Sequence, residues 1–215
     1  MQESDITVIT GHYGAGKTNL AVNLALETAR SGKTTLFDLD IVNPYFRSAD
    51  FTDTLRGSGV IVEAPAAANT NLDLPAISGR LEAALRTGEH SLILDVGGDD
   101  AGAVALGRFA PLIRQRGYRM WYVVNRFRYL TRTPQEAAEL LREIEAASGL
   151  TATDVVNNSN LGPETTADDI TEGYRFASEV SRLTGLPLLF TAVRRDLAAS
   201  VPDRRDVDLF VRLPF

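Results

Sequence analysis

The chain has 215 residues, of which 44% are hydrophobic and 23% charged, and its formal net charge is −6. A chain of this size and composition buries a core without covalent staples. With no cysteine and only His12 and His90, it excludes disulfide frameworks, thiolate metal sites, cysteine nucleophiles and His-rich metal centres. The acidic balance argues against a general nucleic-acid binder. No apolar run approaches the ~18 residues of a membrane span, and the acidic start Met1-Gln2-Glu3-Ser4-Asp5 does not read as a secretory leader. The expectation is a single cytoplasmic domain over residues 1–215.

Along the chain, short β-rich runs alternate with longer helical stretches, the pattern of an α/β protein. Strands are expected at Ile6–Thr10, Thr34–Asp38, Val60–Glu63, Ser91–Val96, Met120–Asn125, Asp154–Asn157, Pro187–Ala192 and Val207–Arg212. That implies a mostly parallel sheet of about seven or eight strands with helices on both faces. Between them, helices are expected over Lys17–Ser31, capped by Gly32, over Thr133–Ser148, closed by Gly149, and over Ala167–Thr184, closed by Gly185.

The first strand runs into Gly11-His12-Tyr13-Gly14-Ala15-Gly16-Lys17-Thr18 and then Asn19, a fit to G-x-x-x-x-G-K-[ST] between a strand and a helix. Such a loop turns successive backbone N–H groups, and the helix N-terminus, toward phosphate oxygens. Lys17 would reach the β- and γ-phosphates and the Thr18 hydroxyl would ligate Mg²⁺. Only Lys17 and Lys33 are lysines in the whole chain. The second strand ends in Asp38-Leu39-Asp40, two carboxylates at i and i+2 that share one side of an extended strand. One would support the magnesium shell and the other orient an attacking water. Ser91-Leu92-Ile93-Leu94-Asp95 has the form of a Walker B strand, with Asp95 on the metal. In the glycine pair that follows, Gly98 is placed to meet a γ-phosphate through its N–H.

The spacing of P-loop, then Asp38-x-Asp40-x-x-Asn43-Pro44, then Asp95-x-Gly97-Gly98, resembles the ParA/MinD/Mrp group of P-loop ATPases. Gly11–Thr18 looks like that group's deviant P-loop, G-K-G-G-x-G-K-T. The resemblance implies a P-loop NTPase fold and an ATP- and Mg²⁺-dependent switch that engages a protein partner, with a nucleotide-dependent homodimer as one possibility. It places Asp38 and Asp40 in the active site, with Asp40 holding the attacking water. It also places an adenine-contacting Asn at the end of Val155-Val156-Asn157-Asn158, where Asn158 aligns best and Asn157 second, and Asp196 near the base. The absence of an N-K-x-D pattern favours ATP. His12 stands where the group carries its extra lysine, the residue that reaches across the dimer. Either another cation substitutes, Arg47 and Arg126 being candidates, or the dimer is altered.

Other readings stay open beside this one. An ATP-dependent ligase or kinase resembling dethiobiotin synthetase, or a nucleotide-binding module without hydrolysis, would use the same loop. Arg126-Phe127-Arg128-Tyr129-Leu130-Thr131-Arg132 is either an ordinary loop or a contact for nucleotide, nucleic acid or partner. Arg194-Arg195 and Arg204-Arg205, interspersed with aspartates, read as a mixed solvated surface. The stretch Ala64–Pro75 looks like a loop over the site. The C-terminus lacks the basic amphipathic helix of membrane-bound members of the group.

Overall fold

The computed structural model describes residues 5–39, 49–64, 74–98, 100–129 and 131–210. Eight strands pair as β1 (Ile6–Thr10), β2 (Thr34–Leu39), β3 (Val60–Glu63), β4 (Ser91–Val96), β5 (Arg119–Val124), β6 (Asp154–Asn157), β7 (Leu188–Arg194) and β8 (Arg204–Val207). They form one sheet in the order β3-β2-β4-β1-β5-β6-β7-β8. Every pairing is parallel. Among the described residues seven α-helices connect them: α1 (Lys17–Thr28), α2 (Ala49–Gly57), α3 (Leu74–Thr87), α4 (Asp100–Gly107), α5 (Ala110–Arg116), α6 (Pro134–Ser148) and α7 (Ala167–Thr184).

Period-two alternation divides the strand side chains between two cores. Ile6, Val8, Leu92, Leu94, Met120, Tyr122 and Val155 pack with apolar residues of α3 to α7 on one face. Ile9, Ile93, Trp121, Val123, Val156 and Phe190 meet α1 and Leu55 of α2 on the other. The buried Tyr122 hydroxyl donates to the Ala137 carbonyl at 2.7 Å and seats α6. Burial pushes that phenol well above its usual pKa.

Helix ends follow local chemistry. Thr133 and Thr166 form capping boxes with Glu136 and Asp169, and Gly149 and Gly185 close their helices in left-handed conformation. Three expectations need correction. Helix α1 ends at Thr28, not Ser31, and its cap is Ala29. The Gly32 N–H only reaches Thr28 O, so the chain leaves through a tight turn with no glycine cap. Pro75, assigned to a loop, lies in the first turn of α3, a position that spares its missing N–H.

The last strand among the described residues is Arg204–Val207; of the expected Val207–Arg212, residues 208–210 are not strand, and 211 and 212 lie outside the described residues. Apolar alternation favoured the later segment, yet pairing with β7 selects the charged one, Thr191 to Arg204 through Arg194 to Val207. Nine residues link these two parallel strands, fewer than a usual crossover. The link is held by Ile170, Val193 and Ala199, which pack together, and by Arg204 donating to the Leu197 and Ala199 carbonyls. Arg205 lies 4.9 Å from the Phe190 ring centroid and 5.7 Å from that of Trp121, and pairs with Glu27 of α1. The two rings meet edge to face at 5.3 Å. The remaining arginines here pair with Asp196, Asp206 and Asp208. They are a mixed ionic surface rather than a basic patch.

Candidate functional site

The carboxyl-terminal ends of the central strands converge beside the loop that follows β1, the place where parallel α/β sheets build ligand sites. That loop is shaped by glycine. Gly11, Gly14 and Gly16 have φ of 143°, 73° and 86°, values that L side chains rarely adopt. Close approach constrains it further. A Cβ on Gly16 would overlap the Asn158 amide, and one on Gly98 would overlap the Gly11 carbonyl oxygen. The backbone after β4 is therefore pressed against the start of the P-loop.

Lys17 is buried, at 5% exposure, and its Nζ donates to the His12 carbonyl at 3.3 Å across the loop. The Thr18 hydroxyl donates to Asp95 Oδ2 at 2.6 Å, closing 77 residues of chain. Asp95 is buried at the end of β4, and in register beside it on β2 stands half-buried Asp38. Paired residues on neighbouring strands point to one face, so the two carboxylates and the threonine share a side of the sheet. These are hard oxygen donors of the kind magnesium takes. Among the described residues no group of three or more acidic or histidine side chains could cage a metal alone. A cation at Thr18 and Asp95 would complete its shell with phosphate oxygens and water. Asp40, Asn43, Pro44 and Arg47 lie outside the described residues.

The remaining residues fall into two places. Asn158, expected at the base, donates from Nδ2 to the Ala15 carbonyl at 2.7 Å, while its backbone N–H bonds Val124 O. It braces the P-loop from the end of β6. Asn157 is fully buried, its Oδ1 accepting from the Ser159 N–H. Asn19 and Asn23, one helical turn apart, grip the chain beyond β8. Both amides donate to the Asp208 carbonyl, and their oxygens accept from the Phe210 and Asp208 N–H groups at 2.9 Å. Asp196 is mostly exposed beyond β7, where the Arg194 guanidinium holds its carboxyl below the usual range.

His12 and its neighbours carry the electrostatics. His12 Nδ1 sits 2.7 Å from the Tyr13 carbonyl. Burial lowers its pKa below 6.5; the Tyr13 bond works against that, and the positive charges of Lys17 and Arg128 add to the lowering. Arg128 was not singled out from the arginine-rich stretch by sequence, because its spacing carries no motif. A Cβ built on Gly14 would stand 3.3 Å from Arg128 Nε, so its guanidinium arm lies across the P-loop. Arg126, one of the two candidates to replace the group's extra lysine, pairs with Glu172 of α7.

No family model matches the chain, and no curated protein does. Solved structures do resemble it. FtsY from Mycoplasma mycoides aligns at 15% identity and a TM-score of 0.58, covering 90% of this chain and 62% of that one. The 54 kDa signal recognition particle protein of Aeropyrum pernix, in complex with GDP, aligns at 16% and 0.57, covering 94% and 44%. A nucleotide-binding protein from Archaeoglobus fulgidus, in complex with ADP, aligns at 16% and 0.51, covering 89% and 83%. This is the P-loop NTPase fold. The chain spans about three fifths of the length of the FtsY structure. At these identities the likeness concerns architecture, and nothing in it singles out the ParA/MinD/Mrp group. No helix among the described residues is long and apolar enough to cross a membrane.

Proposed function

We propose that the chain is a single-domain, cytoplasmic, Mg²⁺-dependent ATPase switch of the ParA/MinD/Mrp type, which engages a protein partner and dimerises with nucleotide bound. The observation that carries this reading is the 2.6 Å contact of the Thr18 hydroxyl with Asp95, which joins the P-loop to the Walker B-like strand. Lys17, the backbone N–H groups of Gly11–Thr18 and the start of α1 bind the phosphates. Thr18 and Asp95 hold the magnesium, and Asp38 supports it from the adjacent strand. Bound magnesium neutralises charge on the phosphates. Asp40 orients the attacking water, and the Gly98 N–H reads the γ-phosphate. Such positioning is most of what phosphoryl transfer asks of a protein.

Adenine is favoured by the absence of N-K-x-D, with Asp196 toward the base, Asn158 bracing the P-loop, and the ADP complex of the Archaeoglobus neighbour in support. The GDP complex of the Aeropyrum neighbour makes guanine the comparison to run. The test is titration of fluorescent ATP and GTP with magnesium or EDTA, on wild type and Lys17→Ala. Magnesium-dependent ATP binding that disappears in Lys17→Ala is expected; no Lys17-dependent binding of either nucleotide overturns the proposal. Light scattering on Asp40→Ala with ATP should then report a persistent dimer, whereas an unchanged mass refutes the dimer.

A further inference from the structure

Arg128 is held in place by the turn that leaves β5. The Asn125 carbonyl accepts from the Arg128 N–H at 3.2 Å, and Asn125 Oδ1 accepts from the Phe127 N–H at 3.1 Å. The Arg126 N–H is fixed to Ser159 Oγ, and the Asn125 amide donates to the Asn160 carbonyl. The Arg128 carbonyl takes the Thr131 N–H. A backbone tied at this many points presents its side chain in one place, against Gly14 of the P-loop.

That side chain is otherwise unspent. Arginines 80, 86, 126, 182, 194, 195, 204 and 205 each pair with a carboxylate. Arg128 makes no ion pair among the described residues, and its buried Nε has no hydrogen-bond partner there. Burial lowers its pKa, the nearby Tyr13 alone opposing this, yet a guanidinium keeps its charge in a protein. A half-buried cation without an anion is costly, and planar, five-donor guanidinium matches phosphate oxygens.

We propose that Arg128 binds the phosphate chain of the nucleotide in cis, from the loop between β5 and α6, so that hydrolysis needs no cation from a second copy. This rests on the nucleotide-hydrolysis reading above. In the reaction the water oxygen bonds to the γ-phosphorus, and the bond from that phosphorus to the β–γ bridging oxygen breaks. Its electron pair stays on ADP, and the water's protons pass to inorganic phosphate and solvent. Arg128 stabilises the negative charge that gathers on the phosphate oxygens as the bond breaks. Burial lowers the His12 pKa, and the positive charges of Lys17 and Arg128 add to that lowering.

The test is single-turnover hydrolysis of Mg·ATP with protein in excess, on wild type, Arg128→Ala, Arg128→Lys and Arg132→Ala, together with binding of fluorescent ATP and thermal unfolding. Arg128→Ala should slow hydrolysis by about 100-fold or more, at an affinity within about tenfold of wild type and an unchanged melting temperature. Arg128→Lys should not restore the rate, and exposed Arg132→Ala should leave it unchanged. The wild-type rate constant should be independent of protein concentration. Arg128→Ala hydrolysing within about threefold of wild type, or a rate constant that falls on dilution, overturns the proposal. Absence of Lys17-dependent ATP binding in wild type overturns the nucleotide reading itself and Arg128's role with it.

Discussion

Replacing Asn158 with alanine tests how the P-loop is held. The change deletes one hydrogen bond, Nδ2 to the Ala15 carbonyl at 2.7 Å, between groups the structure buries. Asn158 is 5% exposed, so water cannot readily replace the lost donor. Leaving a buried carbonyl unsatisfied costs about 1–3 kcal/mol. For a chain of this length each kcal/mol moves the melting temperature by about 2–4 °C, so a midpoint near 2 kcal/mol gives a fall of roughly 4–8 °C. Thermal unfolding of the nucleotide-free protein measures it directly. ATP and GTP affinities should fall together, because a slackened loop holds any triphosphate less well. A melting temperature within about 1 °C of wild type would refute the brace. Loss of affinity for one base alone would return Asn158 to the base-contacting role that the sequence assigned.

Three further outcomes are expected. The folded protein holds His12 below its ordinary value of 6.5, so the unfolded chain binds that proton first as the pH falls. The stability it contributes is complete above about pH 7 and declines as the pH drops through 6.5; melting curves of wild type and His12→Asn should converge with this dependence, and parallel curves would contradict it. Gly98→Ala places a methyl where the Gly11 carbonyl lies; nucleotide affinity should drop at least about tenfold, and an unaffected affinity would show that the two backbones separate freely. Asn23→Ala removes amide bonds to both the carbonyl and the N–H of Asp208. It should lower stability by about 1–2 kcal/mol in urea unfolding, and no change would mean that Asn19 alone suffices.

The strands of the central sheet were legible because both their faces are buried, which writes continuous apolar runs such as Leu92–Leu94 and Trp121–Val124 into the chain. The phosphate loop was legible because its glycines answer a backbone requirement that no other residue meets. What sequence could not carry was partnership. Arg204-Arg205 read as surface, yet Arg205 stacks on Phe190 and pairs with α1, making a charged segment into the last strand. Arg126 and Arg128 are two positions apart with the same chemistry. Only the Glu172 contact and the approach to Gly14 separate them. Asn158 likewise follows a strand as many turn residues do, and its brace is visible only when Ala15 is beside it.

The clasp of Asn19 and Asn23 on residues 208 and 210 has a consequence in time. Its hydrogen bonds join positions 189 and 191 residues apart, so the helix that opens the phosphate site is secured by a segment synthesised long after it. Long-range closure of this kind is slow and entropically demanding. During translation the P-loop emerges first and must wait, with α1 unclasped and Trp121 without its Arg205 lid, until β8 has been made. A nascent chain therefore cannot assemble the finished site around a nucleotide early.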